Sequence, residues 1–212
     1  MNINEVFINI EEHLLKDEKP SIYLNNIKFN GELDETPFYM IKRLEKVDQS
    51  QKHHPEGNVW NHTMMVIDNG AKYRDKAEDK RAFMWSLLLH DIGKFNTTKL
   101  RKGRLTSYDH DKVGEKEGIE FLSYFTNDKR FIEKVTKLIR YHMHLLFLTN
   151  NLPYADKKGL RSSVNINDMS LVFLSDRLGR GGIDEKEEKK VKNDVKAFFE
   201  EYSRKRWHIL CK

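Results

Sequence analysis

The residues of this chain best suited to chemistry are imidazoles and carboxylates that continue apolar helical stripes. The clearest case is Leu87-Leu88-Leu89-His90-Asp91-Ile92-Gly93-Lys94, where a hydrophobic run delivers two metal-ligating side chains side by side. Phe83 and Leu87 lead to His90 on one line, and Met84 and Leu88 lead to Asp91 on the next, at the spacing of one helix face. Desolvating a carboxylate is costly, so Asp91 requires a positive partner in the core.

The same pattern recurs on other segments. His62 falls between Val59 and Val66, His142 follows the stripe Ile132, Val135, Ile139, and Asp176 follows Met169, Val172 and Phe173. His110 shares a face with Gly114, Gly118 and either Phe121 or Leu122, and two glycines at that spacing imply another backbone packed close by. A lone histidine on such a face is ordinarily a hydrogen-bonded core residue. Six inward polar groups without dedicated partners are a different matter, since each unsatisfied group costs roughly 1–3 kcal/mol. A divalent metal satisfies them together.

Imidazole and carboxylate ligands without thiolates suit iron, manganese, nickel, cobalt or zinc, with magnesium also compatible. His62, His90, Asp91, His110, His142 and Asp176 exceed one tetrahedral site. They fit either one octahedral ion with open positions or two ions about 3.5–4 Å apart bridged by a carboxylate, for which Asp91 is the natural choice. The presence of both His110 and His142 favours two. His144, two residues past His142, points to another face if that helix continues, and ranks below it as a ligand.

These residues need helices to carry them. Ile3, Val6, Phe7, Ile10 and Leu14 predict a helix ending between Lys16 and Pro20, and Thr36-Pro37 reads as a cap and first helical position leading through Met40, Ile41, Leu44 and Val47. Ser21 to Gly31 is ambiguous between a short helix and an irregular connection. Further helices are expected over 58–74, 79–90, 108–125, 128–142 and 165–180, with a weak basic helix over 155–164 and a charge-rich one from Asp184 to Trp207. Phe95 to Ser107, rich in Thr, Lys and Arg, reads as a basic loop beside the His-Asp pair. The expected class is all-α, a single-domain helical bundle: N-terminal helices over 1–46, a core over 47–182, and a C-terminal charged helix over 183–212 in the same domain.

The 212 residues carry a formal net charge of +5, with 38% hydrophobic and 33% charged residues, so a folded core with a heavily charged surface is expected. The basic excess favours an anionic partner only weakly, because acidic residues are interspersed with it. The single cysteine, Cys211, fits a reducing compartment such as the cytoplasm. Neither a secretory leader nor a membrane span is expected.

With these residues in view, the chain resembles the HD superfamily of metal-dependent phosphohydrolases: His62, His90-Asp91 and Asp176 stand in its order, and His90-Asp91-Ile92-Gly93-Lys94 matches its HDIG variant. The stretches from His53 to Thr63, His110-Asp111-Lys112-Val113-Gly114, Tyr141-His142-Met143 and Asp176 to Gly182 look most like the HD domain attached to bacterial CCA-adding tRNA nucleotidyltransferases. The nucleotidyltransferase head has no counterpart here, since the Asp109-x-Asp111 pair lacks the Gly-Ser loop that would precede it. The resemblance implies a hydrolase that cleaves a phosphomonoester or phosphodiester of a nucleotide or related small molecule with a metal-activated water. It implies catalytic roles for Asp91 and Lys94, and substrate contacts from Lys94, Arg177, Arg180 and His144. The alternative is a non-catalytic RNA-binding or regulatory module using Lys99, Arg101, Lys102 and Arg104.

Overall fold

The computed structural model describes residues 2–203. Cys211 and the last residues of the expected C-terminal helix, 204–207, lie outside them. Helix α1 (Ile3–Lys16) is capped by the Asn2 side chain and buries Val6, Phe7, Ile10 and Leu14 of the stripe its sequence predicts, while Ile3, the first member of that stripe, is exposed at the helix start. The ambiguous segment is helical, α2 (Pro20–Phe29), with proline in its first turn. The expected start at Thr36-Pro37 is displaced. Helix α3 (Tyr39–Lys42) begins past the proline and runs into a 3-10 turn over Arg43–Lys46, its first amide donors reaching the Glu35 and Pro37 carbonyls.

Helices α4 (Val59–Ala71) and α5 (Lys80–Leu89) follow, capped by the side chains of Asn58 and Asp79. Every residue of α5 from Ala82 to Leu89 is buried, which makes it the central helix of the bundle. A single turn, α6 (Lys94–Thr97), leads into strands β1 (Thr98–Arg101) and β2 (Arg104–Ser107). The expected basic loop is therefore an antiparallel hairpin. Lys102 and Gly103 at its tip both have positive φ, 49° and 74°, and a two-residue turn of that hand matches the twist of paired strands.

Helices α7 (His110–Ser123) and α8 (Lys129–Tyr141) pack against each other and, through α8, against α5. The chain then breaks at His142 and Met143, and a new helix, α9 (His144–Thr149), begins. Helices α10 (Lys157–Ser163), α11 (Ile166–Leu178) and α12 (Glu185–Ser203) complete the fold, α11 lying against α4, α5 and α12. One connected apolar core runs from Val6 on α1 to Tyr202 on α12. The fold is an all-α bundle with one small hairpin. Among the described residues no helix is long and apolar enough to cross a membrane.

Glycines set the close approaches around α7. A Cβ at Gly114 or Gly118 would sit 3.1 or 3.0 Å from side-chain carbons of Ile139, so both let α8 pack tightly, as their spacing predicts. Gly93 serves a different close approach. Its φ is −72°, open to any residue, but a Cβ there would lie 2.5 Å from the Gly114 nitrogen and closer still to the His110 carbonyl oxygen. Missing volume, not backbone freedom, brings the His90-Asp91 segment against the start of α7.

Candidate metal centre

Five helices deliver the six predicted groups to one place. His62 comes from the first turn of α4, His90 and Asp91 from the end of α5, His110 from the start of α7, His142 from the end of α8 and Asp176 from the last turns of α11, and all six are buried.

The imidazoles are held in one tautomer. His90 Nδ1 lies 2.7 Å from the Leu87 carbonyl, His110 Nδ1 2.7 Å from that of Ser107, and His142 Nδ1 2.6 Å from that of Ile139, each three residues upstream. A carbonyl only accepts, so each Nδ1 carries the proton. His62 Nδ1 donates at 2.9 Å to the Glu56 carboxylate. All four rings therefore present a bare Nε2 inward when neutral, the arrangement of metal-ligating histidines.

Those nitrogens meet other acceptors. His62 Nε2 is 3.1 Å from Asp176 Oδ1, and His90 Nε2 is 3.2 Å from Asp91 Oδ2. On the other side of the same carboxylate, His110 Nε2 stands 3.1 Å from His142 Nε2, and the two lie 3.4 and 3.7 Å from Asp91 Oδ1. Two imidazole lone pairs facing each other repel unless a cation lies between them. Nitrogens bound at right angles to one ion with bonds of about 2.1 Å are about 3.0 Å apart, close to the observed separation. Among the described residues no hydrogen bond reaches His90 Nε2 or Asp91 Oδ1, and Asp91 Oδ2 has Lys94 Nζ at 2.7 Å. The donor set fits divalent metal, with His62, His90 and Asp91 forming one candidate group and Asp91, His110 and His142 another.

The electrostatics match. Burial alone would raise the Asp91 pKa, but the charges of His90 and Lys94 overcome it and hold the group well below the usual carboxylate range. Asp176 is likewise held low against burial, chiefly by the adjoining His62 ring and the Arg180 charge. His90 is pushed up in turn, Asp91 outweighing the burial that opposes its charge.

Lys94 Nζ pairs with Asp91 Oδ2 at 2.7 Å and donates to Gln49 Oε1 at 2.8 Å. It lines a cavity of about 550 Å³ whose floor includes His62, Asp91, His110, His142 and Asp176, and whose walls include Arg177 and Arg180. His144 is not brought there. It is fully buried, its Nε2 accepts the Asp156 amide at 3.1 Å, and its ring packs on Tyr141 and Phe147, because the chain turns at His142 and starts a new helix.

Two residues of the polar loop escaped sequence reasoning. Glu56 Oε1 accepts from both His54 Nδ1 and His62 Nδ1 at 2.9 Å, while Oε2 accepts the Gly181 amide at 3.1 Å. Burial raises its pKa, but the bonds from His62, its own backbone, His54 and Gly181 bring it down to about 2. Pro55-Glu56-Gly57 has no periodicity to betray this role. The proximity of an acid to an inward histidine was the only signal.

The HD domain family model matches residues 59–181, more than half of the chain. The chain belongs to the HD domain family. Its curated relatives include the Multifunctional CCA protein of Actinobacillus pleuropneumoniae serotype 5b (strain L20), 33% identical over 130 residues, which is 60% of this chain and 30% of the relative. The protein of the same name from Pasteurella multocida (strain Pm70) is 24% identical over 197 residues, 87% of this chain and 45% of the relative. That from Psychromonas ingrahamii is 35% identical over 85 residues, 40% and 20% of the two chains. The aligned part is thus less than half the length of each of these relatives. An HD domain with a buried His/Asp cluster able to hold metal is what the match and the geometry jointly describe.

Proposed function

We propose that this HD protein is a metal-dependent phosphohydrolase that cleaves a phosphomonoester or phosphodiester of a nucleotide or related small molecule. The observation that carries the reading is the division of Asp91: Oδ2 lies 3.2 Å from His90 Nε2 and 4.0 Å from His62 Nε2, with Lys94 on the same side, while Oδ1 lies 3.4 and 3.7 Å from His110 and His142 Nε2. His62, His90, Asp91 and Asp176 would hold one ion, and Asp91, His110 and His142 a second. When bound, such ions lower the pKa of water toward neutrality and compensate charge on phosphoryl oxygens.

The chain's own residues supply the rest. Hydrolysis forms a bond from water oxygen to phosphorus and breaks the ester P–O bond, the alcohol leaving with a proton. Asp91 fixes the two halves of the centre relative to each other. Lys94, beside Asp91 and facing the cavity, binds a phosphoryl oxygen, and Arg177 and Arg180 on the wall bind further phosphate charge. The buried walls exclude competing water. We place this activity in the cytoplasm, in keeping with the single cysteine.

Metal analysis of protein purified without chelator, followed by a panel of phosphomonoesters and phosphodiesters with added manganese, nickel or cobalt, tests the reading. Up to two ions per chain and metal-dependent release of phosphate or alcohol are expected, both lost in Asp91→Ala. Activity that survives Asp91→Ala would sink the mechanism.

A further inference from the structure

From Ile92 to Tyr108 the chain carries Lys94, Lys99, Arg101, Lys102 and Arg104 and no acidic residue. The hairpin sorts them. Cross-strand partners share a face, so Leu100 and Leu105 lie with Thr98 and Ser107 on one side, and Lys99, Arg101, Arg104 and Thr106 on the other. Leu105 and Ser107 line the cavity over the candidate metal centre, and the Ser107 carbonyl holds His110. The hairpin is thus a wall of the site on one face and a cationic surface on the other.

The cationic face is unneutralised and carries a stacking platform. Lys99, Lys102 and Arg104 are exposed and form no ion pair among the described residues, whereas many of the other basic groups are paired with carboxylates. Arg101 is fixed by bonds to Thr106 and lies over the Tyr108 ring, 4.9 Å from its centroid, and that ring is 66% exposed between cavity-lining Ser107 and His110. An exposed aromatic backed by arginine offers a face to any base, while a row of free cations follows a phosphate backbone.

We propose that the hairpin is a binding arm for single-stranded nucleic acid and leads the end of the strand into the cavity. Phosphates lie along Lys99, Lys102 and Arg104, a base stacks on Tyr108, and the terminal nucleotide passes Leu105 toward Lys94. An anionic membrane fits less well, because the tip is Lys102-Gly103 with Arg101 and Arg104 paired behind it, and the aromatic ring lies at the base. The direction of the strand rests on the phosphohydrolase reading; strand binding does not.

Binding is measured on the full chain with chelator present, by fluorescence anisotropy of short RNA and DNA single strands labelled internally, across salt. Three free cations predict a slope of log affinity against log salt of about −2, a loss of roughly twentyfold between about 50 and about 200 mM. Lys99→Gln/Lys102→Gln/Arg104→Gln should flatten that slope, and Tyr108→Ala should weaken binding about tenfold while Tyr108→Phe keeps it. The exposed trio Lys116, Lys129 and Arg130, changed to glutamine together, should leave binding intact. With metal, hydrolysis of p-nitrophenyl phosphate should be equal in the wild type and the hairpin triple variant, which also shows that the variant folds. A strand bearing a terminal phosphate should show a lower KM than p-nitrophenyl phosphate in the wild type, and that advantage should be lost in the hairpin variant. Equal weakening by both triple variants, binding to phosphatidylserine vesicles but not to strands, or no strand binding at all would overturn the proposal. An inactive protein that binds strands in this way would instead refute the hydrolase and keep the arm.

Discussion

Replacing Glu56 with glutamine tests whether an imidazole orientation set from outside the cluster controls metal affinity. The carboxylate takes three donors, His54 Nδ1 and His62 Nδ1 at 2.9 Å and the Gly181 amide at 3.1 Å. The amide keeps the shape but has a single acceptor oxygen. It can serve the two imidazoles or Gly181, not both. If its NH₂ faces His62, the ring must accept at Nδ1 and carry its proton on Nε2, where it points at Asp176 and blocks an ion. Losing a partner that orients a ligating histidine typically lowers metal affinity about 10–100-fold. Competition against a chromophoric chelator should show that loss, with kcat largely recovered at saturating metal because the ligand atoms survive. An affinity within twofold of wild type would refute the argument that Glu56 sets the His62 tautomer. Because the Glu56 pKa is depressed to about 2, its contribution to stability is complete above the ordinary glutamate value and fades only as pH falls toward 2. The effect of the substitution on metal affinity should therefore not vary between about pH 6 and 8 through titration of Glu56 itself.

Gly93→Ala places a Cβ 2.5 Å from the Gly114 nitrogen, against backbone that cannot swing away. Overpacking of this kind costs about 1–3 kcal/mol, so thermal melts should fall by roughly 2–12 °C, with weakened metal binding as α7 moves. An unchanged Tm would contradict the packing described. Chelation should lower the melting temperature of metal-loaded protein by about 8–16 °C, since metal at a thousandfold excess over its Kd adds about 4 kcal/mol; calorimetry with and without EDTA measures it. His54 and His144 are both pushed down to about 4, chiefly by burial. Neutral histidines of this kind contribute stability that is present above about pH 6.5 and lost as pH falls toward 4, so the metal-free protein should melt progressively lower across that window. A flat profile there would count against the burial of both rings.

The helices that carry the cluster were legible because each ligand continues an apolar stripe. Ile132, Val135 and Ile139 end at His142, and Met169, Val172 and Phe173 point to Asp176, and the structure brings both to Asp91 or its neighbours. Gly114 and Gly118 were legible for the same reason, as absences on a packed face. Glu56 was not, because a loop residue gains its role from a partner six positions away and another 125 positions away, and no period records either. The hairpin was hidden by composition: Lys, Arg and Thr mask the alternation that puts Leu100 and Leu105 on one side. His144 shows the limit of extrapolating a helix, since two residues of turn after Tyr141 send it to a different neighbourhood.

The bonds from His90, His110 and His142 to carbonyls three residues upstream make each donor ready before any ion arrives, using only the chain's own first turn of neighbours. A cage assembled in this way has little means of refusing an ion of suitable size, and affinity among first-row metals rises in a fixed order whatever the protein. The choice of metal then passes from the protein to its surroundings. The same polypeptide, folded under different supplies of manganese, iron or nickel, should emerge carrying different ions, and its activity should be a record of where it was made.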